Sequence, residues 1–129
     1  IMPSLVGSEM CIRDSPSSLA LGRRALVELL EKDPGLQAVC CSSDTLAQGV
    51  MVEALARGMR VPQDLAICGF GDAEFAAHTV PSISTVHVDG PGIGRLAAQI
   101  IVSRSRGEQV AQTVHDLGFR LIERQSTGG

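Results

Sequence analysis

Residues 39–72 read VCCSSDTLAQGVMVEALARGMRVPQDLAICGFGD, and the order of signals within them decides the fold. Val39 to Cys41 closes a short apolar run that begins at Leu36, the pattern of a parallel strand buried beneath helices. Ser42-Ser43-Asp44 then offers hydroxyl and carboxylate caps for a helix. Leu46, Ala47, Val50, Met51, Ala54 and Leu55 recur at helical spacing as far as Arg57, and Gly58 supplies the left-handed residue that ends the helix. Val61-Pro62-Gln63-Asp64 is a turn in which Asp64 can bond its own backbone, and Leu65 to Phe70 is a second apolar strand that stops at Gly71-Asp72. Strand, helix, strand implies a parallel crossover. The polar groups that follow both strands therefore gather at one sheet edge, where open α/β sheets bind small ligands.

Working outward, the expected class is α/β, a parallel sheet with helices on both faces. Ser17 and Ser18 can cap a helix carrying Leu19, Ala20, Leu26, Val27, Leu29 and Leu30, which Asp33-Pro34-Gly35 ends. Glu74 to His78 reads as a short helical turn and Ser84 to Val88 as a third strand. A long helix runs from about Pro91 to Ser105, and proline suits its first turn. Gln112 to Leu117 and Phe119 to Glu123 read as two strands about Gly118, and Gln125 to Gly129 as a polar tail. Residues 1–15, IMPSLVGSEMCIRDS, lack either periodicity; they resemble a peptide translated from a sequencing-adapter read, or form an ordinary flexible leader. The expected domain is thus 16–129.

Composition excludes several functions. With 129 residues, 44% of them hydrophobic, the chain suffices for one domain. A net charge of −3 gives no basic footprint for nucleic acid, and 2% aromatics without Trp or Tyr gives no stacking platform for single strands. No apolar run reaches the roughly 20 residues of a membrane span. Cys11, Cys40, Cys41 and Cys68 lack metal spacing and read as small buried residues of a reducing compartment, so the expected location is the cytoplasm and no metal or cofactor is expected.

Asp44 and Asp72 lie just past two neighbouring strands, where carboxylates accept hydrogen bonds from polyol hydroxyls. Asp44 reads equally as a helix cap and Asp72 as a loop cap. Gly71 permits a close backbone approach, and Phe70 can pack on a sugar ring or in the core. His78, His87 and His115 have no nucleophile elbow or ligand pair beside them, so no catalytic residue is assigned and the chain is not read as an enzyme. Gly92-x-Gly94-x-x-Ala97 with Asp116 superficially fits a dinucleotide fingerprint. Asp89-Gly90-Pro91 separates it from its strand, however, and Pro91 removes an amide donor.

Ser43-Asp44-x-x-Ala47, Gly58-x-x-Val61-Pro62-x-Asp64-Leu65-Ala66-Ile67-x-Gly69-Phe70-x-Asp72, Pro81-x-Ile83-Ser84-Thr85-Val86 and Glu123-Arg124-Gln125-Ser126-Thr127, in this order, resemble the lactose/galactose repressor family. The resemblance covers residues 17–129 and the C-terminal part of the family's two-lobed effector domain, which is similar to periplasmic sugar-binding proteins; the DNA-binding domain is absent. It implies a repressor of carbon-source genes, with an effector held between lobes, a homodimer formed through the Asp44 to Arg57 helix, and operator DNA contacted only by the missing N-terminal domain. Ser43-Asp44 stands where the family commonly has Asn-Asp, and Gly71-Asp72 where it has Asp-Asp. The implied effector residues are Ser43, Asp44, Phe70, Gly71 and Asp72. Gly69-Phe70-Gly71-Asp72 with Phe75-Ala76-Ala77-His78 is similar to gluconate-utilisation repressors, which implies a sugar acid such as gluconate, its carboxylate met mainly by an arginine of the absent lobe. A periplasmic sugar-binding protein is the alternative of the same fold.

Overall fold

The computed structural model describes residues 17–129, so the leader assigned to 1–15, and Cys11 with it, lies outside the described residues. Helix α1 spans Leu19–Lys32 behind the Ser18 cap, whose hydroxyl accepts from the Leu21 amide. Strand β1 is Ala38–Cys40. Helix α2 spans Asp44–Ala56 with Ser43 as its cap, and β2 is Ala66–Cys68. A short 3-10 turn at Glu74–Ala77 precedes β3, Thr85–His87. Helix α3 covers Gly90–Ser105, with Asp89 capping it through Gly92. Strand β4 is Arg120–Ile122.

Strands β1 and β2 pair in parallel, with Val39 opposite Ile67 and Cys40 opposite Cys68. A parallel bridge from Cys68 to Ser84 carries the ladder on to β3, which pairs antiparallel with β4, Val86 opposite Leu121 and His87 opposite Arg120. The turn before β2 is closed by Asp64, whose carboxylate accepts from the Arg60 amide at 2.7 Å and from the Arg60 guanidinium rather than from its own backbone.

The core lies between the sheet and the α1–α2 pair: Leu26, Val39, Ala47, Val50, Met51, Ala54, Leu65, Ile67, Ala76 and Ile83 are buried. Two glycines allow the helices to approach so closely. A Cβ on Gly22 would collide with the Leu46 carbonyl, and one on Gly49 with the Leu19 carbonyl. The other face of the sheet is less covered. Helix α3 buries none of its residues and leaves Ile93, Ile101 and Val102 exposed.

Three expectations are corrected. Gln112 to Leu117 forms no strand: Val114 and Leu117 are exposed and find no partner ladder, leaving β4 as the only strand of that pair among the described residues. The terminal segment is no free polar tail. It forms a 3-10 turn at Gln125–Thr127, where Ser126 is fully buried, donating to the Ile67 carbonyl at 2.5 Å and accepting from the Ser84 amide at 2.8 Å. Cys40 is exposed, because it points to the less covered face of the sheet, opposite to Val39.

The helix crossing yields a test. Gly22→Ala or Gly49→Ala places a methyl against main chain that cannot retreat, and is expected to lower stability by about 1–3 kcal/mol. Thermal unfolding reads this as a fall of several degrees. An unchanged midpoint would mean that the helices do not pack this closely.

Candidate functional site

The ends of β1, β2 and β3 meet around one carboxylate. Asp44 opens α2, where the helix dipole favours negative charge, and is only 2% exposed. Its Oδ1 accepts from the Thr85 hydroxyl at 2.6 Å and its Oδ2 from the Ala73 amide at 2.6 Å. A Cβ on Gly69 would overlap Asp44 Oδ1, so only glycine lets β2 close over this group. Asp44 thus lies beneath the surface with both oxygens engaged. Ser43 is half-buried, and its hydroxyl accepts from the Leu46 amide at 3.2 Å.

Asp72 lies nearer the surface, in the left-handed region at φ 55°, which is sparsely populated by non-glycine residues. Two partners hold it there. Its Oδ1 accepts from Arg124 Nη2 at 2.7 Å, and its Oδ2 lies 3.0 Å from His87 Nδ1. The Arg124 guanidinium, aided by His87, keeps the Asp72 carboxyl below the usual carboxylate range. Arg124 also donates to the Ile83 carbonyl at 2.9 Å, joining the segment after β4 to the strand that leads into β3. Gly71 is exposed at φ 115°, its amide donating to the Val86 carbonyl. Phe70 is 46% exposed.

The structure therefore brings Phe70, Gly71 and Asp72 together at the surface of the edge and sets Ser43 and Asp44 behind them as its support. Thr85, His87 and Arg124 were assigned no role from sequence. The available signal was their place in the Ser84-Thr85-Val86 and Glu123-Arg124 motifs, which marks position but not partner.

Two concavities flank this edge on opposite sides of β3, since Val86 lines one and His87 the other. The first, about 390 Å³, is walled by Cys40, Cys41, Cys68, Phe70 and Val86. Burial pushes the Cys41 thiol up to about 12 and raises that of Cys68 as well, so both stay protonated and behave as apolar wall. The second, about 370 Å³, is lined by His87, Asp89, Leu117, Gly118, Phe119 and Arg120. Among the described residues no cluster of three metal-ligating side chains occurs, and no helix is long and apolar enough to cross a membrane.

Residues 8–127 match the family of periplasmic binding protein-like domains. The chain belongs to this family. It is 40% identical over 112 residues to the HTH-type transcriptional regulator GntR of Pseudomonas aeruginosa, covering 87% of this chain and 33% of that protein. The solved structure of transcription regulator GntR from Chromobacterium violaceum has a TM-score of 0.81 at 38% identity, over 88% of this chain and 42% of that one. The transcriptional regulator CelR in its cellobiose complex has a TM-score of 0.80 at 31% identity, over 84% and 33%. The chain spans about a third of the length of the curated relatives it matches. These relatives are regulators rather than enzymes, and the parallel sheet with its flanking helices is that of their effector-binding domains.

The Asp72 clamp has a defined pH dependence. Its carboxyl titrates lower in the folded chain than the ordinary value near 3.9. The stabilisation is therefore fully present above that ordinary value and is lost as pH falls through the lower folded one. Asp72→Asn is expected to cost about 1–3 kcal/mol at pH 7, and the gap from the parent in unfolding temperature should close only well below pH 4. A gap that already vanishes at pH 6 would remove Asp72 as its source.

Proposed function

We propose that this chain is the effector-sensing portion of a DNA-binding transcriptional repressor of carbon-source genes, and that its effector is a sugar or a sugar acid such as gluconate. The observation that carries the reading is the Phe70-Gly71-Asp72 edge, with Phe70 and Gly71 exposed and Asp72 half-buried, fixed from behind by Asp44 and from the side by Arg124 and His87. A half-exposed ring beside an ordered carboxylate and a bare glycine backbone suits a polyhydroxylated ligand, with C–H groups on the ring and hydroxyls on the polar atoms. The cellobiose complex of a relative at 31% identity supports a carbohydrate at this kind of domain. Ser43 and Asp44 serve the ligand by holding α2 and the loop in place.

In the whole protein, operator DNA is contacted by an N-terminal domain outside this segment, and two copies associate through α2, where Val52 and Leu55 are 41% and 44% exposed. Such a regulator acts in the cytoplasm. The periplasmic sugar-binding alternative is not favoured, because the relatives are HTH-type regulators.

The test uses the complete regulator that carries this segment. Calorimetric titration with D-gluconate and cellobiose should show binding of one of them, and the same compound should change a gel shift with the regulator's own upstream DNA. Phe70→Ala should weaken that binding by about 1–2 kcal/mol, roughly ten-fold. Binding of neither compound, or an affinity indifferent to Phe70, would overturn the reading.

A further inference from the structure

The second concavity holds polar groups that the fold does not use. His87 Nδ1 is committed to Asp72, which leaves Nε2 without a hydrogen-bond partner among the described residues. Arg120 stands directly opposite His87 in the β3–β4 ladder, so their side chains leave the same face of the sheet. Among the described residues the guanidinium groups of Arg24, Arg95, Arg104, Arg106 and Arg120 make no hydrogen bond or ion pair, and of these five it is Arg120 that lines this cleft. Asp89, across the same cleft, has Oδ1 occupied by the Gly92 amide at 2.9 Å. Leu117 and Phe119 supply an apolar wall, Phe119 being 76% exposed.

These groups match one ligand chemistry. A guanidinium presents a flat donor fork that fits a carboxylate at two points. The Asp89 carboxylate disfavours a multiply charged anion such as phosphate but accepts from a hydroxyl, and the Phe119 ring accommodates C–H groups. We infer that the cleft between the end of β3, the start of α3 and the connection into β4 binds the acid end of a hydroxylated monocarboxylate, with Arg120 as the carboxylate-recognising residue and His87 Nε2, whose partner nitrogen donates to Asp72, as an acceptor for a ligand hydroxyl. The inference rests on the sugar-acid reading above and departs from the sequence-based expectation that the arginine comes mainly from the absent lobe. Through Asp72, the same His87 also ties this cleft to the Phe70-Gly71-Asp72 loop.

The experiment is a calorimetric comparison in the complete regulator of D-gluconate with sorbitol, the neutral polyol of equal carbon number, and with inorganic phosphate. The parent should prefer gluconate to sorbitol by at least ten-fold and bind phosphate weakly. Arg120→Gln should abolish the preference by weakening gluconate ten-fold or more while sorbitol binding stays the same, and Arg120→Lys should retain part of it. Arg120 is exposed, so neither variant threatens folding. If Arg120→Gln binds gluconate as the parent does while Phe70→Ala does not, the cleft assignment falls and the effector reading stands. A parent that binds neutral sugars and ignores gluconate overturns the cleft assignment and the sugar-acid reading together. Tight phosphate binding lost in Arg120→Gln would overturn the monocarboxylate assignment.

Discussion

A single buried carboxylate organises the end of the sheet that carries Phe70, Gly71 and Asp72. Asp44 sits at the first turn of α2, joins the loop after β2 through the Ala73 amide, and joins β3 through the Thr85 hydroxyl. A buried charge is tolerated only where hydrogen bonds and a favourable dipole replace water, and both are supplied here. The constraint propagates to sequence. Residue 69 has no room for a side chain, residue 85 must donate, and residue 73 must turn its amide inward. The loop that carries Phe70, Gly71 and Asp72 thereby takes its shape from a group that lies below it.

The C-terminal segment closes the arrangement from the other side. Ser84 and Ser126 exchange bonds with β2 and with the chain after β4: the Ser84 hydroxyl donates to the Arg124 carbonyl at 3.0 Å and Ser126 to Ile67. Arg124 then reaches Asp72. Loop, third strand and chain terminus are therefore one polar network, with no buried side-chain polar atom among the described residues lacking a partner. Such networks hold a sheet edge in a single geometry because losing any member leaves another unsatisfied.

Much of this was legible in the sequence, and the divisions are physical. Helices α1 and α2 and the parallel β1–β2 pair follow from caps, helical spacing and apolar runs, all of which are local. What escaped depends on contacts remote in sequence. Gln125 to Thr127 is polar and looks free, yet Ser126 is buried because Ser84 and Ile67 await it some forty to sixty residues earlier. Asp44 could be recognised as a cap, but whether a cap faces solvent or lies under the next strand depends on Gly69 and Thr85. Gln112 to Leu117 has strand composition but no neighbour to pair with, and composition alone does not supply a ladder. Cys40 was expected inside; strand alternation places it on the face that α3 leaves uncovered.

The most direct test of this account is the thermal unfolding of Asp44→Ala in the complete regulator. If the carboxylate is the hub, its loss strands the Thr85 hydroxyl and the Ala73 amide, and stability should fall by roughly 2–4 kcal/mol. A variant that unfolds at the parent temperature yet no longer binds the effector would make Asp44 a ligand of the effector rather than the support of the edge, and would contradict the account.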